Sequence, residues 1–200
     1  MSKLFCIMGK SASGKDTIFH RLVADEELNL NMVVSYTTRP MRENETEGIE
    51  YHFVGTEELK EYKKAGKVIE CRDYHTVHGI WSYFTLDDGQ IDLSGNQNSI
   101  IIGTLESYRQ IRDYFGKEKV IPIYVEVEDG LRLSRALERE RSQSDPKYAE
   151  LCRRFLADGE DFSEEQLKAC EIFRIYENND FETCLNQIRT DIVKHGQSMV

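Results

Sequence analysis

Proline and glycine are scarce in this sequence, with three prolines and thirteen glycines in 200 residues. That is too few for a fibrous or low-complexity chain. No apolar run approaches the ~18 residues that a membrane-spanning helix requires, so a soluble chain with no membrane partner is expected. Leu4 to Met8, the first apolar run, is too short for the core of a secretion signal and passes straight into a glycine-containing turn, so no signal peptide is expected. The cysteines, Cys6, Cys71, Cys152, Cys170 and Cys184, are odd in number and scattered, with no C-x-x-C pair. Reduced thiols in a cytoplasmic protein is the simplest reading of that pattern. Positive charge is in deficit, 26 Lys and Arg against 36 Asp and Glu, for a net charge of -10. Nucleic acid and anionic membrane both reward clustered cations, so neither is expected as the main partner. There is no internal repeat and no disordered linker. The length suits one domain whose core carries small inserted subdomains.

What the chain does have is an alternation of short buried-strand runs and helical periods. Leu4–Met8 reads as a strand and is followed by a turn and a helix through Ile18, Phe19, Leu22 and Val23. Residues 100–103 read as a second strand. Thr104 suits the N-cap of a helix carrying Leu105, Ile111 and Phe115 and stopped by Gly116. Val120 to Val127 reads as a strand and a helix begins near Asp129. A long helical stretch is expected over 148–170, a strand over Ile172 to Tyr176, and a last helix through Phe181, Leu185, Ile188 and Ile192. Strands alternating with helices imply an α/β fold, a parallel sheet with helices on both faces. Residues 33–90 break the rhythm. They are rich in Thr, Tyr and turn residues, with one short helix from Thr56 to just before Gly66, and they read as an inserted β-rich subdomain.

Gly9-Lys10-Ser11-Ala12-Ser13-Gly14-Lys15-Asp16-Thr17 lies between the first strand and the first helix and satisfies the G-x-x-x-x-G-K core of a P-loop. Glycines let backbone N–H groups turn inward around phosphate oxygens, and the helix N-terminus adds its positive dipole end. Lys15 is the residue expected to reach the β- and γ-phosphates of ATP. The position after Lys15, where a Ser or Thr hydroxyl would meet Mg²⁺, holds Asp16, with Thr17 next. Either Asp16 helps hold the ion or Thr17 takes the hydroxyl role.

Ser35-Tyr-Thr-Thr-Arg39-Pro-Met-Arg42-Glu-Asn-Glu45-Thr-Glu-Gly-Ile-Glu-Tyr51-His-Phe53 resembles the guanylate kinase signature S-x-T-T-R-x-x-R-x-x-E-x-x-G-x-x-Y-x-F position for position. Arg39 and Arg42 offer planar forks for a phosphate, and Tyr51 adds a hydroxyl donor. The resemblance implies a P-loop nucleoside monophosphate kinase of three-layer α/β/α architecture. Its core would comprise 1–32, 91–130 and 155–200, its inserted monophosphate-binding subdomain 33–90, and its helical lid 131–154. It further implies that Arg39, Arg42 and Tyr51 grip the phosphate of GMP, that Ser35 contacts the base, and that Glu45 supports the arginines. Val68-Ile69-Glu70 matches the family's apolar pair before a glutamate, placing Glu70 to accept from guanine N1 and the exocyclic amine. His78 falls where the family commonly has a phosphate-contacting Tyr. Ile80 cannot hydrogen-bond a base, and Gly103 and Leu105 stand where the family has strand-end acids, so another monophosphate acceptor remains open. Cys71, Asp73, His75 and His78 are zinc-type ligands, but their spacing matches no structural zinc module and they read better as an acceptor-site wall.

Between Arg132 and Arg154 there are seven basic residues against four acidic ones, a local reversal of the chain's sign. Arg135 and Arg139 are four apart, hence on one helix face. By the resemblance, Arg135, Arg139 and Arg154 belong to a lid whose charges close over transferring phosphates; pairing with Glu138, Glu140 and Glu150 is the plainer reading. Asn178-Asn179-Asp180 resembles the family's adenine-contacting turn. The leading expectation is ATP- and Mg²⁺-dependent transfer of a phosphoryl group to GMP or dGMP. A guanylate-kinase-like binding module without turnover, or a P-loop regulator that hydrolyses ATP, would differ from it in acceptor dependence.

Overall fold

The computed structural model describes residues 2–76 and 79–197. All five residues of β1 (Leu4–Met8) are buried, and their alternation decides how the layers form. Leu4, Cys6 and Met8 point to one face of the sheet and Phe5 and Ile7 to the other, each set joining a separate apolar cluster. Helix α1 (Lys15–Val23) follows, with Ile18, Phe19 and Leu22 packed on the Phe5/Ile7 face. The chain then forms β2 (Asn31–Met32), β3 (Tyr36–Thr37), β4 (His52–Phe53), α2 (Thr56–Lys64), β5 (Val68–Thr76) and β6 (Gly79–Leu86). It returns to the first sheet with β7 (Ser99–Ile102), α3 (Leu105–Phe115) and β8 (Val120–Glu126). The remainder is α4 (Asp129–Arg141), α5 (Tyr148–Asp161), α6 (Glu164–Ala169), β9 (Ile175–Glu177) and α7 (Phe181–Gln197).

The main sheet has the order β2-β7-β1-β8-β9, and every pairing in it is parallel. Ile111 of α3 and Leu167 of α6 cover the Leu4/Cys6/Met8 face, and Ile188 and Ile192 of α7 join α1 on the other. The three-layer α/β/α arrangement follows from those two clusters. Parallel strands place the loops after β1, β7, β8 and β9 along one edge, the position at which open α/β sheets bind ligands. A second sheet, β4-β3-β6-β5, is mixed, and buries Leu59 of α2 with Phe84 and Leu86 in a small core of its own.

Two expected elements differ. The helical stretch expected over 148–170 is interrupted at Phe162 and Ser163. The Ser163 hydroxyl accepts the Gln166 N–H and starts α6 as a separate helix. The strand expected from Ile172 begins at Ile175. Helix α6 ends with Glu171 at φ 58°, its N–H bonding the Lys168 carbonyl while the Ile172 N–H bonds that of Leu167. This is the αL stop that glycine normally supplies, here made by a glutamate and therefore silent in the sequence. Strand β2, only two residues long at the sheet edge, also carries no apolar period to reveal it.

Ile100 is fully buried beneath α1, whereas Leu156 on α5 is 70% exposed. Ile100→Ala is expected to cost about 2–5 kcal/mol in urea unfolding through cavity formation, and Leu156→Ala to stay within about 0.5 kcal/mol. Equal costs for the two would contradict this assignment of the core.

Candidate active site

The loop between β1 and α1 is shaped by backbone strain and by neighbours that hold it from outside. Ala12 and Gly14 lie at φ 62° and 84°, and a Cβ on Gly14 would come within 2.5 Å of the Asn178 amide nitrogen. Only glycine satisfies both the backbone and the contact there. Asn178, just past β9, is 2% exposed and donates to the Ser13 carbonyl at 2.8 Å. Its amide thus braces the loop rather than lying open to an adenine ring. Ser11 is held by three groups: its N–H donates to Asp158 Oδ2 at 2.8 Å, its carbonyl accepts from Arg132 at 3.4 Å, and its hydroxyl from Arg154 at 3.1 Å. At the start of α1 the Lys15 ammonium pairs with Asp16 at 3.2 Å. Lys10 pairs with Asp129 at 3.8 Å, and Asp16 and Thr17 are exposed on the first turn. Ser13 Oγ and Asn178 Oδ1 are buried with no partner among the described residues. A buried polar atom without a partner is costly, so the loop holds unspent hydrogen-bonding capacity.

The arm carrying the second sheet presents fixed charge. Arg39 is 4% exposed, and its guanidinium is bound in a fork to Glu45, at 2.7 and 2.5 Å, with further bonds to the Pro40 carbonyl and the Tyr83 hydroxyl. It lies 5.2 Å over the Tyr51 ring and 5.4 Å over Phe53. The Arg39 fork holds the Glu45 carboxyl below its usual range. Glu45 also accepts the Arg42 N–H, while the Arg42 side chain is exposed. The carboxylate therefore orients one arginine by its side chain and the other by its backbone. Burial raises the Tyr51 phenol above its ordinary value, with Tyr83 and Asp16 adding to the shift and Arg72 and Arg39 opposing it. Tyr51, Ser35 and Asp16 line one cavity of about 160 Å³ with Ile49 and Ile102. That cavity joins the first turn of α1 to the arm.

Glu70 on β5 is 2% exposed. It is not a bare acceptor: Arg72 and Thr85 both donate to it, and Arg72 reaches on to the Thr104 hydroxyl at the end of β7. Gly103 has no room for an acid, because a Cβ there would meet Ser107 Oγ at 2.5 Å and Cys6 Sγ at 3.1 Å. Thr104 caps α3, bonding the Ser107 N–H while Ser107 bonds back to Thr104. Leu105 is buried in the core and Ile80 is 51% exposed on β6. His78 lies outside the described residues. Asp73 accepts from Cys71 and Ser82, and no set of three metal-type ligands occurs among the described residues.

Of the arginines expected in a lid, Arg154 touches the loop through Ser11, and Arg135 donates to the Asn178 carbonyl at 3.3 Å. Arg139 projects from α4 into solvent. Glu150 pairs with Arg153, the neighbour of Arg154, at 2.7 Å. Lys10, Asp129, Glu177 and Asn179 line a second cavity of about 440 Å³ at the ends of β8 and β9. Arg132, Asp158 and Arg72 were not legible as site residues. Arg132 and Asp158 pair with groups distant in sequence and Arg72 joins its neighbour Glu70 to the distant Thr104, whereas charged residues on helices and strands ordinarily read as solvated.

The guanylate kinase family profile matches residues 1–195. Among similar proteins, guanylate kinase from Porphyromonas gingivalis is 28% identical over 97% of this chain and 98% of its own length. Guanylate kinase from Malacoplasma penetrans is 30% identical over 62% of this chain and 61% of its own. The crystal structure of guanylate kinase from Anaplasma phagocytophilum superposes with a TM-score of 0.66 at 20% identity, covering 99% of this chain and 88% of that one.

Two measurements test the site's fixed charges. Arg132→Met strands Asp158 beside the loop, and a loss of about 3–5 kcal/mol in urea unfolding is expected. Glu45→Gln is expected to be less stable than the parent at neutral pH, the gap closing on acidification. A carboxyl depressed in the folded state contributes fully above its unfolded value of about 4.3 and loses that contribution as pH falls through the folded one. A gap unchanged between pH 7 and pH 3 would show that the Arg39–Glu45 pair carries no linkage.

Proposed function

This chain belongs to the guanylate kinase family, and from that membership we propose that it transfers the γ-phosphoryl group of ATP to the phosphate of GMP or dGMP, giving ADP and GDP or dGDP. The observation that carries the reading is the cavity walled jointly by Asp16, at the phosphate loop, and by Ser35 and Tyr51 of the arm. A donor cradle and an acceptor grip that share one wall can hold two nucleotides end to end, which is the positioning that phosphoryl transfer needs.

The assignment of roles follows from charge. The N-terminus of α1 and the loop N–H groups other than those of Ser11 and Ser13, which bond Asp158 and the Lys10 carbonyl, face the donor phosphates, and Lys15 exchanges Asp16 for a phosphate oxygen. The oxygens of Asp16 and Thr17, exposed on the first turn, suit the hard cation Mg²⁺ that accompanies ATP. When bound, that ion offsets phosphate charge. The Arg39–Glu45 fork, Arg42 and Tyr51 orient the acceptor phosphate. Arg154 and Arg135, already tied to the loop and to Asn178, supply charge for the equatorial oxygens, with Arg139 completing the set. No covalent intermediate and no strong protein base is required. Asn179 and the cavity at the ends of β8 and β9 provide for the adenine. Five free cysteines, together with the absence of any described helix long and apolar enough to cross a membrane, fit the proposed cytoplasmic setting.

Coupled ADP release with ATP and Mg²⁺, run against GMP, dGMP, AMP, CMP, UMP and dTMP, is expected to give turnover with GMP and dGMP alone. Silence with all six from folded protein would favour a binding module instead. Lys15→Ala should lower kcat at least about a hundredfold, as removal of a charge-stabilising donor does, while leaving the thermal midpoint in place. Glu70→Gln should cost about 1–3 kcal/mol of guanine preference, read as the ratio of kcat/KM for GMP to that for AMP.

A further inference from the structure

Glu70 has less to offer a base than its position suggests. A carboxylate has about four acceptor positions. Oε1 takes Thr85 Oγ1 at 2.9 Å and Arg72 Nη2 at 3.3 Å, and Oε2 takes Arg72 Nε at 2.9 Å. One position remains, on Oε2, enough for one donor of a guanine and not for two. Arg72 is committed only in part. Nε and one Nη2 proton serve Glu70, one Nη1 proton serves Thr104 at 3.3 Å, and the Tyr74 phenol lies within reach. A guanidinium carries five N–H donors, so at least one is uncommitted.

The placement of Arg72 is not accounted for by stability. Burial opposes its charge, and the Glu70 carboxylate, with Tyr74 and Tyr51 adding, offsets that penalty. Its Nη1 lies against Thr104, the N-cap of α3, where the helix dipole disfavours a cation. A buried ion pair of this kind contributes little net stability compared with apolar residues of the same size. What the pair does provide is a donor beside an acceptor, fixed by shared bonds. A 6-oxopurine presents an acceptor, O6, beside a donor, N1–H; a 6-aminopurine presents the reverse polarity at both positions.

We propose that Arg72 is a specificity-determining residue of the acceptor site, donating to the 6-oxo group of the base while the remaining lone pair of Glu70 accepts from N1–H. This rests on the guanylate kinase reading above and sharpens it: the recognised edge is that of a 6-oxopurine, and the 2-amino group has no second acceptor on Glu70. IMP, which keeps O6 and N1–H and lacks the 2-amino group, therefore carries the same recognised edge as GMP.

The test is steady-state kinetics of Arg72→Met and Arg72→Lys with GMP and with IMP, the latter as acceptor or as inhibitor competitive with GMP, with near-UV circular dichroism to verify folding. Arg72→Met is expected to raise KM for GMP at least about tenfold and to weaken IMP by the same factor, with KM for ATP within about twofold. Arg72→Lys keeps a charge for Glu70 but loses the planar fork, so it serves if the methionine variant fails to fold. It is expected to show the same joint weakening at about three- to tenfold. Folded variants with parental KM for GMP overturn the proposal, as does weakening confined to GMP with IMP unaffected, or an equal rise in KM for ATP. If the parent neither binds GMP in calorimetry nor turns it over, the functional reading falls with it; parental GMP turnover with unaffected variants removes only the role of Arg72.

Discussion

Arg132 is the largest of the fully buried side chains, a guanidinium with 1% of its surface exposed, 3.9 Å over the Phe155 ring. It bonds Asp129 on its own helix and Asp158 on α5, and both it and Asp158 bond Ser11. The nucleotide end of the molecule hangs from this junction. A phosphate loop must turn its amides toward a ligand, so it cannot satisfy its backbone within itself. The outside of the loop is bound instead by side chains from α4, α5 and the turn after β9. An apolar core could not hold Ser11 by both its N–H and its carbonyl, and the cost of burying a cation is offset by two carboxylates and an aromatic face.

The same junction governs how α5 attaches. That helix has no buried residue, and Leu156 is 70% exposed. Little apolar burial holds it, and a segment so held opens at low free energy. Its anchorage is mainly polar, through Arg132, Asp158 and Arg154, groups that also hold the loop. The contacts that hold the loop thus coincide with those that fix the helix.

The acceptor arm solves a different problem with the same device. Its sheet is small, and its apolar core of Leu59, Phe84 and Leu86 is separate from both clusters of the main sheet. Its buried charges are set by pairing: Glu45 fixes Arg39, and Glu70 and Arg72 fix each other. Forks fixed in this way have little side-chain freedom left to lose on binding any ligand.

The sequence alone determined the layered fold and the phosphate loop, because both are written in local spacing. Five consecutive apolar residues before Gly9, the glycines around Lys15, Thr104 ahead of the helical period of Leu105, Ile111 and Phe115, and the Ser35–Phe53 spacing each specify backbone geometry within a few positions. The αL stop at Glu171 and the break at Ser163 escaped, since a glutamate there and a serine inside an amphipathic period carry no distinctive signal. The tertiary structure alone decided the electrostatic pairing around Ser11 and at Arg72. Arg132 and Asp158 lie 26 residues apart and both meet Ser11, more than a hundred residues away, while Arg72 spans from its neighbour Glu70 to Thr104 at the start of α3. A charged residue reads as solvated until folding removes its water, and which opposite charge replaces that water depends on contacts that only the packed chain creates.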